Sequence, residues 1–403
     1  MANKIILNIM MLGGRRAGKT STLAAMYDCF TREFRDTDLS ISATGSMLDV
    51  LVSKKQEMTE YLACASRNGN FVPDDSPSDK EDTYSFQFKL KGKNDRIVLD
   101  FFDYPGEYLM TGHPQFTVVE EGIRRSDVLL IILDTPYLME MDGRYNDVRN
   151  CCVRITNTIV GAEEKESLLP KLVLFVPIKC ERYADDGRMD EVREKIMSDH
   201  CYGSLISALK DRCEMAITPI QTIGSAHFIG FERDREGDII MDGFRKTIGD
   251  KVVEEPKVPK KPLYRFTERA KEAAKRQGLE QKYADDPRFC EQPAVYTLYY
   301  GLLYAQQYAK IKEQSKGKRI IEFTHKVIRA ILKTKINRVL PFWEAISDES
   351  LTAVLETLED RFSFAGVDDW FRASKPVFKK LKTEGDGYRV LLPDILDYKG
   401  EWQ

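Results

Sequence analysis

Gly13-Gly14-Arg15-Arg16-Ala17-Gly18-Lys19-Thr20 spells G-x-x-x-x-G-K-T, and Ser21 follows it. These residue types at this spacing suit the holding of a phosphate chain. Gly13 and Gly18 allow backbone angles that turn successive N–H groups, through Gly14 and Ala17, toward phosphate oxygens. Ser21 opens a helical stretch whose N-terminus adds partial positive charge. The Lys19 ammonium reaches the β- and γ-phosphates, and the Thr20 hydroxyl ligates Mg²⁺. Arg15 and Arg16 bring two cations into the loop. One of them acts in cis on the developing charge, or its bulk obstructs the attacking water, or the pair is solvated and points away.

Farther along, Asp103-Tyr104-Pro105-Gly106-Glu107 gives D-x-x-G. In that pattern Asp103 approaches Mg²⁺ through water, and the Gly106 N–H bonds a γ-phosphate. Glu107 stands where a glutamine often orients the water. A glutamate can do the same, but its charge sits awkwardly beside a γ-phosphate, so a structural cap is the alternative. Ile178-Lys179-Cys180-Glu181 is N-K-x-D with Ile for Asn and Glu for Asp. A carboxylate accepts from guanine N1–H and the amino group, whereas adenine offers an acceptor at N1; Glu181 therefore favours guanine. The Lys179 stem can lie along the base, and the lost Asn removes a polar tie to the phosphate loop. A surface K-x-E at a strand end is the bland alternative. Gly224-Ser225-Ala226 is similar to an S-A-K loop that meets guanine O6, with His227 where Lys is usual. For a second Mg²⁺ hydroxyl the candidate is Thr83, with Ser78 behind it.

The elements that position these residues are legible from apolar periodicity. Strands are expected at 4–12, 96–102, 127–134, 171–177 and 216–223, each running into one of the motifs. Asp134 ends its strand and reads as a turn-former. Residues 46–67 carry apolar positions at helical spacing. A polar loop at 68–79 then leads to an alternating edge strand at 83–90, with a first switch just before it. A hairpin is expected from Phe228–Phe231 and Asp238–Met241. The stretch 251–282 is basic, and Pro256, Pro259 and Pro262 mark it as an extended linker. The helix from Ala294, with Tyr296, Tyr300, Tyr304 and Tyr308 four apart, is expected to pack on the sheet and on the tail. Residues 316–338 read as a basic amphipathic helix, paired internally with an acidic helix around Glu349, Glu356, Glu359 and Asp360 in preference to nucleic acid.

The 403 residues are 42% apolar and 31% charged, which is enough for a sizeable core and two or three domains. Sixty-one Lys+Arg against 64 Asp+Glu leave a net charge of -3, which argues against a whole-chain polyanion binder. Eight scattered cysteines without C-x-x-C suit reduced thiols in the cytoplasm. With no H-x-x-x-H either, a metal held by protein ligands alone is not expected. The apolar start is too short for a secretory signal, and no window spans a bilayer.

The order strand, P-loop, helix, D-x-x-G, strand, K-x-E, strand, S-A is that of a Ras-like GTPase. The long gap from Thr20 to Asp103, the D-Y-P-G-E form and the degenerate base motif resemble the double-GTPase family of prokaryotes, in the translation-factor-related (TRAFAC) class. Glu291-Gln292-Pro293 also resembles the opening of that family's last helix. The resemblance implies an α/β Ras-like P-loop domain over 1–313, with insertions at about 44–80 and 228–290, and leaves an α-helical domain over 314–403. It implies GTP or GDP with Mg²⁺ and an association with predicted biological-conflict systems, including defence against phage. The expected function is a guanine-nucleotide switch with slow hydrolysis and a protein effector. A nucleotide-locked scaffold is the alternative, and an ATPase the third.

Overall fold

The computed structural model describes residues 4–43, 47–64, 70–71, 81–163, 171–210, 213–243, 245–254, 257–279, 283–314, 361–362 and 366–383. The basic helix expected at 316–338 and its acidic partner lie outside these residues.

Seven strands form the main sheet: β1 (Lys4–Leu12), β2 (Leu39–Ala43), β3 (Asp82–Leu90), β4 (Arg96–Asp103), β5 (Val128–Asp134), β6 (Leu172–Ile178) and β7 (Glu214–Ile217), in the order β2-β3-β4-β1-β5-β6-β7. Only β3 runs against the others; β1 pairs in parallel with β4 and β5, and β5–β6–β7 continue in parallel. With β1 central and one reversed strand toward one edge, this is a Ras-like P-loop sheet. Residue alternation shows why it forms. Ile5, Leu7, Ile9, Val128, Leu130, Ile132, Leu174 and Val176 enter one core, while Met10, Leu12, Leu129, Ile131, Leu133, Val173 and Phe175 enter the other. Both faces are thus covered, as strands of unbroken apolar character require.

On the first face lie α1 (Lys19–Glu33) and α5 (Gln292–Gln314); on the second lie α2 (Phe116–Arg125), α3 (Cys152–Glu163) and α4 (His200–Leu209). The tyrosine-bearing α5 packs as expected. Gly301 meets Leu7 of β1, while Tyr299 meets the rings of Phe371 and Phe378 on α6 (Val367–Thr383) edge-on. Trp370 and Phe378 of α6 are buried in the same core as β1.

Three expectations need correction. The strand at 83–90 is not an edge, because the short L-S-I-S-A segment of β2 pairs outside it. Residues 251–282 are not an extended linker. Lys251–Glu254 pairs with Arg245–Ile248, Val258–Pro259 pairs with Met241–Asp242, and a helix runs over Glu268–Arg276. The turn at 234–237 exists, bridged at Arg233 and Ile239, but strand Ala226–Phe231 takes Pro262–Phe266 as its partner. Aromatic packing decides that choice: Phe228, Tyr264, Phe266 and Phe71 stack into a separate small core. Pro262 is tolerated because it stands first in its strand. Among the described residues no helix is long and apolar enough to cross a membrane.

Candidate functional site

The C-terminal ends of β1, β4, β5 and β6 bring Gly13, Asp103, Asp134 and Lys179 to one edge of the sheet, the usual ligand crevice of such sheets. The loop from Gly13 enters α1 with Gly18 in the left-handed region, φ 92°, and Arg16 also at positive φ, 59°. This alternation bends the chain into a concave row of N–H groups.

Lys19 is buried and its Nζ donates to the Gly13 carbonyl at 3.3 Å, closing the loop on itself. The Thr20 hydroxyl donates to Asp103 Oδ2 at 2.6 Å, and Lys19 Nζ stands 3.9 Å from Asp103 Oδ1, which accepts no hydrogen bond although buried. Burial holds the Lys19 ammonium below the ordinary lysine range, with Asp103 the main opposing influence. Burial likewise holds the Asp103 carboxylate above its ordinary range, opposed by Lys19 and Thr20. Two charges are thus kept out of water with only a long contact between them. A hydroxyl beside an unsatisfied buried carboxylate oxygen is a donor set for a hard cation. Residues Thr20 and Asp103 therefore fit Mg²⁺.

The D-x-x-G glycine is fixed by close approach. A Cβ on Gly106 would stand 2.5 Å from the Arg15 nitrogen and from the Gly14 carbonyl carbon. Its backbone therefore lies directly on the phosphate loop. Glu107 lies in the first turn of the short helix that Gly106 opens, Gly106–Leu109, and its carboxylate faces Lys246 Nζ at 3.3 Å. Arg16 extends toward the 228–290 insertion, its guanidinium 3.6 Å from Asp242, while Arg15 is half-buried. Thr83 is exposed and pairs with Phe102, so Asp82, not Thr83, lies opposite Asp103.

On the base side, Ile178 replaces the polar tie with an apolar one: its Cδ1 lies 3.0 Å from the Cβ position of Gly18. Glu181 is buried and accepts from Gly224 N at 3.1 Å and Ile223 N at 3.3 Å. Burial raises its pKa, and those backbone donors oppose the rise. The same contact draws the G-S-A loop to the K-x-E segment. Ser225 and Ala226 are buried there, Ser225 donating to the Ala284 carbonyl at 2.8 Å. His227 pairs with Asp185 at 2.8 Å.

Sequence reasoning missed the anchor beneath the loop. Asp134 is a fully buried anion, not merely a turn-former. It accepts from Lys179 Nζ at 2.8 Å and faces Arg149 Nε at 3.5 Å. Arg149 Nη2 donates to the Arg16 carbonyl at 2.9 Å, and Asn150 Oδ1 accepts from the Asp134 N–H at 2.8 Å. An acid ending an apolar strand, paired in register with Ile178 just before Lys179, was the available signal. Arg149 and Lys246 gave none.

Residues 8–201 match the family model described as Double-GTPase 2. The match covers just under half of the chain, and these residues are similar to a double-GTPase domain. Among solved structures, the chain is similar to the GTPase-like domain of Ski7 from S. cerevisiae, crystallised with GTP. The identity is 12% and the TM-score 0.33, over 55% of this chain and 43% of that one, so the match spans under half of that protein's length. No curated protein matches the chain. The P-loop, the D-x-x-G segment and the K-x-E segment lie within the matched residues, and the Gly224–Ala226 loop beyond them joins the K-x-E segment through Glu181.

Proposed function

We propose that the protein binds GTP with Mg²⁺ and hydrolyses it slowly, the nucleotide state serving as a switch. The observation that carries the proposal is the Thr20–Asp103 hydrogen bond, 2.6 Å, with Lys19 beside it and Gly106 laid on the phosphate loop. In this reading the backbone from Gly13 to Ser21 cradles the phosphates, and Lys19 takes their charge. Thr20 and Asp103 would hold Mg²⁺, which when bound would neutralise phosphate charge. Gly106 offers its N–H to the γ-phosphate, so losing that phosphate releases the segment that Gly106 opens. Arg15 is the cis cation. Lys179, Glu181, Ser225 and Ala226 meet guanine, and Thr83 remains the candidate of the first switch.

We take residues 1–313 as the GTPase unit and 314–403 as an α-helical region, in a cytoplasmic protein with a protein effector. A role in phage defence rests on the family resemblance alone.

A second reading, a nucleotide-locked scaffold, is favoured by one contact: Lys246 engages the Glu107 carboxylate. Single-turnover hydrolysis of GTP decides between the two. Phosphate release that disappears in Lys19→Ala supports the enzyme. GTP binding without Lys19-dependent release supports the scaffold, and tighter binding of ATP than GTP overturns the guanine assignment.

A further inference from the structure

On the second face of the sheet, the thiol sulfurs of Cys152 and Cys201 and a carboxylate oxygen of Asp199 lie within 4.8 Å of one another. Cys152 opens α3 and Cys201 stands in the first turn of α4, so segments far apart in sequence supply the cluster. Both cysteines are buried, and Asp199 is partly so. His200 Nε2 lies 3.1 Å from Cys201 Sγ on the exposed side.

Other interactions already engage each of these groups, and every one of them leaves lone pairs that a cation could take. Asp199 caps α4, its Oδ1 accepting from the N–H groups of Cys201 and Tyr202, and its Oδ2 accepts from Asn146 Nδ2 at 3.0 Å. Cys152 Sγ donates to Asp147 Oδ1 at 3.4 Å, which holds the thiol proton but leaves the sulfur lone pairs free to coordinate once that proton is lost. A carboxylate oxygen holding one N–H bond still has a lone pair to give. Two buried sulfurs, a carboxylate and an imidazole at the open side are the donor types of a tetrahedral site for a borderline-soft divalent cation.

We propose that Cys152, Cys201 and Asp199 bind a zinc-class cation, with His200 or water completing its coordination. On binding, each thiol gives its proton to solvent and the two thiolates coordinate the cation. The site ties α3 to α4 directly behind the nucleotide crevice, because Cys152 follows Arg149, which holds the Arg16 carbonyl, and Cys151, whose sulfur backs Gly14.

The test uses the full chain, stripped with chelator under reductant and titrated with Co²⁺ and then Zn²⁺. A thiolate-to-cobalt charge-transfer band saturating at about one ion per chain and displaced by Zn²⁺ is expected from such a site. The band should vanish in Cys152→Ser and in Cys201→Ser and persist in Cys213→Ser. No band, or one that survives both substitutions, overturns the proposal. Because a serine at a buried position can prevent folding, alkylation of the unmutated chain is mapped by mass spectrometry in parallel. Zn²⁺ should protect Cys152 and Cys201 and chelator should restore their labelling. Equal labelling with and without Zn²⁺ overturns it.

Discussion

Asp134→Asn is the substitution that most directly probes the anchor beneath the phosphate loop. Asp134 is fully buried, and the two cations it serves, Lys179 and Arg149, are 8% and 9% exposed. The asparagine keeps the shape and one oxygen but loses the charge that faces two nearly dry cations. Removing one partner of a buried pair costs about 3–5 kcal/mol, most of it for the charge left behind. The 3.5 Å Arg149 contact and the retained amide oxygen place the expectation at the lower end, about 3 kcal/mol. At roughly 2–4 °C per kcal/mol for a domain of this size, the midpoint of thermal unfolding should fall by about 6–12 °C.

The control is Asp186→Asn. Asp186 faces Arg182 at 3.5 Å one helical turn away, but both side chains are exposed, 45% and 37%. Solvent screening limits such a pair to about 0.5 kcal/mol, so its midpoint should move by no more than roughly 2 °C. Circular dichroism melts without nucleotide read the stability. A fluorescent guanine nucleotide reads the affinity, which should weaken about tenfold, or about 1.4 kcal/mol, in Asp134→Asn as Lys179 and the Arg16 carbonyl lose their support. A midpoint for Asp134→Asn indistinguishable from that of Asp186→Asn would falsify the anchor argument.

Two further outcomes follow from the same crevice. Gly106→Ala puts a methyl 2.5 Å from backbone atoms that have no rotamer to escape into, so it should cost about 1–3 kcal/mol and weaken nucleotide binding; a variant as stable and as tight-binding as the parent contradicts the close packing. Because burial raises the Asp103 pKa in the fold, the native state holds more protons there than the unfolded chain between the unfolded and folded values. The nucleotide-free protein therefore loses this contribution as pH rises through the raised value, while Mg²⁺-dependent nucleotide binding gains from the same ionisation. Melting and binding measured across that window should trend oppositely, and Asp103→Asn should flatten both; parallel trends in the parent refute the assignment.

What the chain's linear order reveals is uneven, for physical reasons. Strands buried on both faces are apolar throughout, so β5 and β6 are legible from composition alone, and with them the buried second half of β1, Ile9–Leu12. The phosphate loop is legible because its chemistry is local: two glycines, a lysine and a threonine act through adjacent backbone. β2 was missed because five residues, L-S-I-S-A, carry too short a pattern to distinguish from a loop. Pairing among 226–266 was misread because proline content speaks for local stiffness, whereas the choice of partner strand was made by aromatic side chains distant in sequence. Arg149 and Lys246 were invisible for a related reason: each acts on a charge or carbonyl that only the tertiary fold brings near.

The insertions bear on this last point. Arg16 of the phosphate loop faces Asp242, and Glu107 after the D-x-x-G segment faces Lys246, so one short stretch of the 228–290 insertion touches both nucleotide-facing loops. Each contact is long and partly exposed, and neither contributes more than about 1 kcal/mol to stability. Their placement matters more than their strength. Lys246 occupies and offsets the Glu107 carboxylate, so that group is not a free water-positioning residue while the pair holds, which is why this contact favours the scaffold reading. In the sequence Glu107 looks like a defective glutamine; in the fold it is half of an ion pair supplied by an insertion.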